Sequence, residues 1–215
     1  VNESDVTSAT VKKIWKDAEN RDGLRPLSLR IELLADGEGT GKFAVLDSSN
    51  NWTAMINNLP KMNNGKAIEY TWSETDLPEG YTLTNTKAEG TVTTLTNSHT
   101  TEETEVNVLK VWDDKNNQDG YRPTLDEYKA KLTLFAGEDD VTEDYADKIS
   151  VTANGQNAYT VTVTGLPKKA NGVDIVYTMT EGTIAGYTPD TTNAQGDHGS
   201  WTNSHTTEET GPTIT

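Results

Sequence analysis

The chain has 215 residues, of which 33% are hydrophobic, with a net charge of −16 and no cysteine. A strongly negative surface argues against nucleic acid and anionic membrane as partners, since both bind positive charge. No run of about 18 apolar residues occurs, so the sequence predicts no membrane-spanning helix. Without cysteine, the protein cannot be stabilised by disulfide bonds. Neither a signal peptide nor a sorting motif is visible, so we expect a segment of a longer protein.

An internal repeat divides the sequence into two halves. Residues 96–104 recur residue for residue at 202–210, and other landmarks recur in the same order. The sequence therefore predicts two copies of one domain, residues 1–103 and 104–215. The matched landmarks are Lys13-Ile14-Trp15 with Lys110-Val111-Trp112, residues 22–26 with 119–123, Leu59-Pro60-Lys61 with Leu166-Pro167-Lys168, and Gly80-Tyr81 with Gly186-Tyr187.

Each copy has the sequence pattern of an all-β domain. Short segments of alternating apolar and polar residues, separated by Gly, Asn and Pro turns at roughly ten-residue spacing, are typical of a β-sandwich. We also expect one helical turn at Leu125–Lys129. The predicted strands are 11–15, 27–33, 52–59, 68–72 and 90–97 in the first copy, and 108–112, 130–135, 159–163 and 174–179 in the second.

A lysine lies among apolar residues in the first strand of each copy. Side chains alternate between the two faces of a strand, so Lys13 shares a face with Val11 and Trp15. Lys110 holds the same place in the second copy. Burying a lysine without a partner is expensive, because an ammonium group resists leaving water. Lys12 is adjacent to Lys13, but strand parity and the alignment with Lys110 favour Lys13 as the core-facing lysine.

A glutamate and an asparagine continue the apolar rows of two later strands in each copy. The parity argument that applies to the lysines also turns these groups toward the core. Each copy therefore places three polar groups at core-facing positions: Lys13, Glu74 and Asn97 in the first copy, and Lys110, Glu181 and Asn203 in the second.

Three structural explanations compete for these groups. The lysine can pack its stem in the core and extend its ammonium to the rim. The lysine and glutamate can form an ordinary buried ion pair, hydrogen-bonded to the asparagine. A register shift of one residue would turn all three groups to solvent. The recurrence of all three groups in both copies, where many intervening residues differ, favours a shared chemical role over each explanation.

We expect that role to be the formation of an isopeptide bond. Burial lowers the pKa of a lysine and raises that of a carboxyl group, so a buried pair can exchange a proton and become neutral. A neutral lysine can attack the asparagine carboxamide carbon while a protonated glutamate polarises its oxygen and transfers protons to the departing ammonia. Contact between the groups corresponds to an effective molarity of roughly 10⁵ M or more. The reaction occurs once per domain, so we expect autocatalytic maturation and not an enzyme with turnover.

Several segments of the chain resemble the Cna protein B-type domain, a family that includes collagen adhesin B repeats and many Gram-positive pilins. These segments are residues 110–123, the Leu-Pro turns, residues 175–181 and Thr202-Asn203. The resemblance covers nearly the whole chain, twice, and implies a sandwich of inverse-immunoglobulin or prealbumin-like topology with an intramolecular Lys–Asn bond. In some members of the family the promoting acid is an aspartate on another strand. Carried over by position, the crosslinks join Lys13 to Asn97 and Lys110 to Asn203, promoted by Glu74 and Glu181.

The resemblance also implies a biological role. We expect a structural stalk segment of an adhesin or pilin, extracellular and anchored to the cell wall by a part outside this segment. The expected partners are adjacent repeats of the same parent chain and a host extracellular ligand, with no membrane contact and no cofactor or metal. We expect a monomer. The alternative function is an adhesion module that binds a host protein or glycan.

Two other kinds of site receive less support. The loops at residues 17–23 and 113–120 resemble calcium loops, but counting back from the glycine places Ala18 and Lys115 at the first ligand position. We therefore expect solvated acidic turns there. A glycosidase would need two carboxylates in one cleft, and the sequence singles out no such pair.

Overall fold

The computed structural model describes residues 5–190, 195–196 and 198–209. The chain divides into two compact units, Val1–Thr101 (unit 1) and Glu102–Thr215 (unit 2). The boundary expected from the sequence, between residues 103 and 104, lies one residue inside the first strand of unit 2, which begins at Glu103. Among the described residues, no helix has the length and apolar character needed to cross a membrane.

Unit 1 is a β-sandwich. Its strands are β1 (Val6–Lys16), β2 (Ser28–Ala35), β3 (Glu38–Asp47), β4 (Thr53–Pro60), β5 (Met62–Asn63), β6 (Lys66–Ala67), β7 (Tyr70–Ser73), β8 (Thr82–Glu89) and β9 (Val92–Ser98). One sheet has the order β4-β1-β9-β8 and the other has the order β3-β2-β7, while β5 and β6 form a small hairpin. Buried Val11 and Leu95 from the first sheet and Ile31 and Leu33 from the second belong to one apolar core.

Unit 2 repeats this architecture. Its elements are β10 (Glu103–Asp113), α1 (Leu125–Lys129), β11 (Leu132–Ala136), β12 (Asp139–Asp140), β13 (Ile149–Ala153), β14 (Ala158–Pro167), β15 (Lys169–Ala170), β16 (Val173–Asp174), β17 (Tyr177–Glu181), β18 (Thr188–Pro189), β19 (Gln195–Gly196) and β20 (His198–Ser204). The sheets have the orders β13-β14-β10-β20-β18 and β12-β11-β17-β19, and β15 pairs with β16. The predicted all-β sandwich is thus confirmed in both units.

The first and last strands of each unit pair in parallel. In unit 1, Lys13 is in register with Leu95, and Asn97 lies two residues further along β9. In unit 2, β10 and β20 pair in the same register, so Asn203 lies two residues beyond the partner of Lys110. Parallel neighbours that are distant in sequence need a long connection, and the rest of each unit supplies it. This pairing brings the two ends of each domain's sequence into one sheet.

The predicted helical turn is also confirmed. Thr124 is the N-cap of α1 and forms a capping box with Glu127, in which each residue bonds the backbone of the other. The turn projects Tyr128 into the core, where its side chain is fully buried. Because unit 1 has only Leu27 between Pro26 and β2, the α1 segment distinguishes unit 2 from unit 1.

Candidate functional site

The alternation of β1 and β10 determines which lysines enter the core. In β1, Val11 and Lys13 are buried whereas Lys12 and Ile14 are exposed. Lys13 is 3% exposed and Lys110 is fully buried. The structure therefore excludes a strand shift that would turn these lysines to solvent. It also excludes snorkelling, since neither lysine side chain has any exposed surface.

In unit 1, one carboxylate contacts both the lysine and the asparagine. Lys13 Nζ forms an ion pair and hydrogen bond with Glu74 Oε2. Asn97 Nδ2 donates to the other oxygen, Glu74 Oε1, at 2.8 Å. Glu74 follows the last residue of β7, and its side chain is only 1% exposed. The three polar groups predicted from strand parity thus lie together inside the sandwich.

Unit 2 contains the same arrangement at the equivalent positions. Asn203 Nδ2 donates to Glu181 Oε1 at 2.8 Å. Lys110 Nζ lies 2.6 Å from Glu181 Oε2, although the angles of this contact are not those of a hydrogen bond. Glu181 is the last residue of β17, and its side chain is 6% exposed. The opposite sheet therefore supplies the glutamate in both units.

Burial and the partner carboxylate act in opposite directions on the lysines. Burial lowers the pKa of Lys13 and of Lys110 below the usual value, and this effect exceeds the opposing contribution of the neighbouring glutamate. A lowered pKa makes the neutral amine more accessible. The site therefore makes the neutral, nucleophilic form of each lysine less unfavourable than it is in water.

The amide oxygen of Asn97 is free to accept a hydrogen bond from the glutamate once the glutamate is protonated. Among the described residues, Asn97 Oδ1 has no hydrogen-bond partner, although it is buried. An ionised carboxylate accepts from the amide nitrogen, whereas a protonated carboxyl donates to the amide oxygen. Half a turn of the amide about its terminal bond exchanges these two atoms. Proton transfer from Lys13 to Glu74 would therefore give Asn97 Oδ1 a donor at the atom that must accumulate negative charge.

The loop after the first strand holds a second buried cluster that the sequence interpretation missed. Asp17 and Asp114 are both 2% exposed, so the expectation of solvated acidic turns is wrong at these positions. Arg122 binds Asp114 through two nitrogens, at 2.5 and 2.9 Å, and the Tyr187 hydroxyl donates to Asp114 at 2.6 Å. The partners are distant in sequence, so only the recurrence of the Asp, Arg-Pro and Gly-Tyr landmarks in both copies could have indicated the cluster.

The repeated histidines bind loop acids. His99 Nε2 lies 2.7 Å from Asp22 Oδ2, and His99 Nδ1 lies 2.8 Å from the Gly80 carbonyl oxygen. His205 makes the same pair of contacts with Asp119 and Gly186. Among the described residues, no group of three or more His, Cys, Asp and Glu side chains could hold a metal ion. These histidines therefore close a loop against the end of the last strand in each unit.

Comparisons with known proteins find the same family in both halves of the chain. The model of the Cna protein B-type domain matches residues 9–98 and 106–204. A collagen adhesin of Staphylococcus aureus is 36% identical over 221 aligned positions, which cover 97% of this chain and 16% of that protein. This chain therefore corresponds to a small part of that relative.

A solved structure of two repeat units shows the same relationship. The crystal structure of two B repeat units of the S. aureus collagen-binding protein is 36% identical, with a TM-score of 0.74 over 94% of this chain and 50% of that chain. A crystal structure of a single B repeat unit of the same protein is also 36% identical and is covered completely, with a TM-score of 0.39. The two matched segments, together with the sandwich fold, show that this chain belongs to the Cna protein B-type domain family.

Proposed function

We propose that each unit forms an intramolecular isopeptide bond, Lys13 to Asn97 in unit 1 and Lys110 to Asn203 in unit 2. One observation carries this proposal: two sequences that differ at many positions bury the same Lys–Glu–Asn cluster at the same register of a parallel strand pair. A purely structural ion pair would not require an asparagine on the same carboxylate in both units.

The proposed reaction is a transamidation. The glutamate takes a proton from the lysine ammonium, and the neutral Nζ attacks the asparagine Cγ to form a C–N bond. The protonated glutamate donates to the developing oxyanion and then transfers protons to Nδ2, so that the Cγ–Nδ2 bond breaks and ammonia leaves. The products are a secondary amide and one ammonia, and no oxidant, metal or cofactor is required.

The electrostatics of the core support this reaction. Burying an ion pair costs hydration free energy, and the attraction between the two charges offsets this cost only in part. Formation of the amide removes the lysine charge and leaves a neutral carboxyl in its place. The reaction therefore replaces two buried charges by neutral hydrogen-bonding groups, and the loss of ammonia to solvent makes it effectively irreversible.

At the level of the whole protein, we propose a stalk segment of a Gram-positive cell-surface protein, anchored to the wall by a part outside this chain. Family membership and the similarity to repeat units of a collagen adhesin support this role. The net charge of −16 suits a surface segment that stays soluble. The partners are then neighbouring repeats of the same parent chain, and the segment carries out no catalytic turnover.

The alternative, a module that binds a host protein or glycan, receives less support from the tryptophans. A sugar platform needs exposed aromatic rings. All five tryptophans lie among the described residues; Trp72, Trp112 and Trp201 are buried, and Trp15 and Trp52 are partly buried against the unit 1 core. Their rings are therefore used for packing.

The test of the proposed function is the intact mass of the purified chain. We expect a mass lower than that of the sequence by two ammonia molecules, and proteolytic fragments in which Lys13 is joined to Asn97 and Lys110 to Asn203. In the Lys13→Ala and Lys110→Ala variants, the mass should be lower than that of the variant sequence by only one ammonia molecule. A mass equal to that of the unmodified sequence would show that the crosslinks do not form.

A further inference from the structure

The candidate crosslinking site of unit 2 includes a buried side chain from a segment that unit 1 lacks. Eight residues, 124–131, connect Pro123 to β11 in unit 2, and α1 within this connection carries Tyr128. The Tyr128 side chain is fully buried. Its ring packs edge-on against Trp112 at 5.5 Å between centroids and lies 5.8 Å from Lys110 Nζ. Tyr128 is therefore part of the wall of the unit 2 site.

The Tyr128 hydroxyl and the Glu181 carboxylate are complementary. Among the residues that the structure describes, neither the Tyr128 hydroxyl oxygen nor Glu181 Oε2 has a partner with hydrogen-bond geometry, although both atoms are buried. A buried donor and a buried acceptor without partners are each unfavourable, and one bond between them satisfies both. The Tyr128 ring lies 5.8 Å from Lys110 Nζ, which in turn lies 2.6 Å from Glu181 Oε2, so both groups line the same site. The pKa of Tyr128 is raised mainly by burial and further by the Glu181 charge.

The misaligned contact of Lys110 is consistent with this arrangement. In unit 1, Lys13 makes a true hydrogen bond to Glu74 Oε2, whereas the equivalent contact of Lys110 has unsuitable angles. The recorded cation–π contact of Lys13 is with Trp15, whereas Lys110 contacts Trp112 and also Tyr128. The Lys110 ammonium from β10 therefore lies close to both Glu181 Oε2 and the ring of Tyr128 from α1.

We propose that Tyr128 is a positioning residue for crosslinking in unit 2, an inference that rests on the proposed function. Its hydroxyl donates to Glu181 Oε2 and favours the ionised carboxylate, while Oε1 stays directed at Asn203. When Glu181 takes the proton from Lys110, the same hydroxyl rotates and accepts from the new carboxyl group, because a phenol can both donate and accept. Tyr128 thus stays hydrogen-bonded to Glu181 both before and after the proton transfer, and keeps the carboxyl group oriented toward Lys110 and Asn203.

This role has a specific consequence for the pH dependence of the reaction. Among the described side chains, the titratable groups around Glu181 are Lys110 from β10 and, next to Lys110, Tyr128 from α1. The neutral amide of Asn203 from β20 also binds Glu181, and the paired residue of β11 is the apolar Leu132. Below the first proton loss of this cluster, both the lysine and the glutamate are protonated and the amine cannot attack. A hydrogen bond to the ionised carboxylate moves that proton loss to lower pH.

The decisive variant is Tyr128→Phe, which removes only the hydroxyl. The full chain is assembled in denaturant by ligation of synthetic segments, so that it has never folded, and is then diluted into a series of buffers that covers acidic, neutral and alkaline pH. Samples are quenched in acid and digested, and mass spectrometry gives the crosslinked fraction of each unit separately. Tryptophan fluorescence follows folding in the same samples.

We expect the acid limb of the rate profile of unit 2 to move to higher pH, by on the order of one unit, in Tyr128→Phe. The profile of unit 1 in the same molecule should not move. Tyr159→Phe is the matched control, since Tyr159 also packs on Trp112 but donates its hydroxyl to the Pro123 carbonyl oxygen at 2.8 Å. This control should leave the acid limb of unit 2 in place.

Three results would overturn the inference. An unmoved acid limb would show that the hydroxyl does not act on Glu181. A rate that falls equally at every pH would show that Tyr128 serves packing alone. If the unchanged chain loses no ammonia in either unit, the proposed function itself is wrong and the inference falls with it, whereas ammonia loss with an unmoved acid limb overturns the inference alone.

Discussion

Lys13 and Asn97 lie two register positions apart on parallel strands, close to the end at which both strands finish. The chain enters unit 1 at the start of β1 and leaves it at the end of β9. Because the strands are parallel, tension on the two ends of the unit loads this pair in shear. A bond from Lys13 to Asn97 would carry the tension directly from one strand to the other, and residues 14–96 would bear none of it.

The first prediction concerns extension under force. In the unchanged chain, single-molecule pulling should release no more than the short segments outside the crosslinks. In Lys13→Ala, unit 1 should unfold in one step that adds on the order of 300 Å of contour, given about 3.3–3.6 Å per residue. Lys12→Ala is the matched control, since Lys12 is exposed on the same strand. Equal extension of unit 1 in the unchanged chain and in Lys13→Ala would contradict the mechanical role.

The second prediction concerns the glutamate of unit 1. Glu74→Gln preserves the shape of the side chain, but glutamine cannot take a proton from Lys13. Asn97 in unit 1 should therefore keep its side-chain amide, while unit 2 still releases one ammonia. Loss of a crosslink that closes a loop of this length should destabilise unit 1 by about 4 to 5 kcal/mol, by analogy with disulfides. Fragment masses and urea unfolding of unit 1 measure these effects.

The exposed Glu69 supplies the control for this experiment. Glu69→Gln should form both crosslinks and should leave the stability of unit 1 unchanged. Crosslinking of unit 1 in Glu74→Gln would show that another group moves the protons.

The sequence predicts the cluster well because the side-chain period of a strand is two. A lysine between Val11 and Trp15 must face the core if Val11 does, and the same reasoning placed Glu74 and Asn97. The one-turn helix was also predictable, since the capping residues of α1 are local in sequence. What could be predicted therefore depends on short-range patterns.

The features that were missed depend on distant contacts. β8 is an edge strand with almost entirely exposed polar residues, so it lacks the alternation that marks a strand. β3 has only two buried side chains, Ala44 and Leu46, in a glycine-rich segment. Asp114 follows the last residue of β10 and is buried by residues that fold over it, and the burial of Tyr128 requires Trp112 beneath it. Neither arrangement has a periodic signature in the sequence.

The third prediction concerns acid stability of unit 2. Burial opposes ionisation of Asp114, but bonds from Arg122, Tyr187 and the Asn117 backbone outweigh it and hold the Asp114 pKa at about 2. Because the folded pKa is depressed, the stabilisation is fully present above the unfolded pKa and is lost as pH falls through about 2. The shift corresponds to about 2 kcal/mol. Asp114→Asn should remove at least about that much at neutral pH, since it leaves Arg122 without its carboxylate.

Hydrogen exchange of unit 2 at neutral and acid pH is the measurement for this prediction. Asp113→Asn is the matched control, because Asp113 is the exposed neighbour of Asp114. The control should behave as the unchanged chain. If Asp114→Asn has the same protection as Asp113→Asn, the ion pair with Arg122 does not stabilise the loop.

The fourth prediction concerns the histidines that close the loops. Both ring nitrogens of His99 face acceptors, Asp22 and the Gly80 carbonyl oxygen, so only the imidazolium can donate at both. The hydrogen bond to Asp22 raises the pKa of His99, and the bonds to Gly186 and then Asp119 raise that of His205. A raised folded pKa gives stabilisation that is fully present below the unfolded value, about 6.5. This stabilisation is lost as pH rises through the folded pKa.

Unfolding free energies measured in urea between about pH 6 and pH 9 should therefore decline as pH rises in the unchanged chain. The double variant His99→Gln, His205→Gln should be less stable at the acid end and should lose this decline, since glutamine does not titrate. His99→Gln alone should remove only the part of this pH-dependent decline that comes from unit 1. If the double variant keeps the full slope, other groups cause the pH dependence, and the loop contacts of His99 and His205 do not require the charged ring.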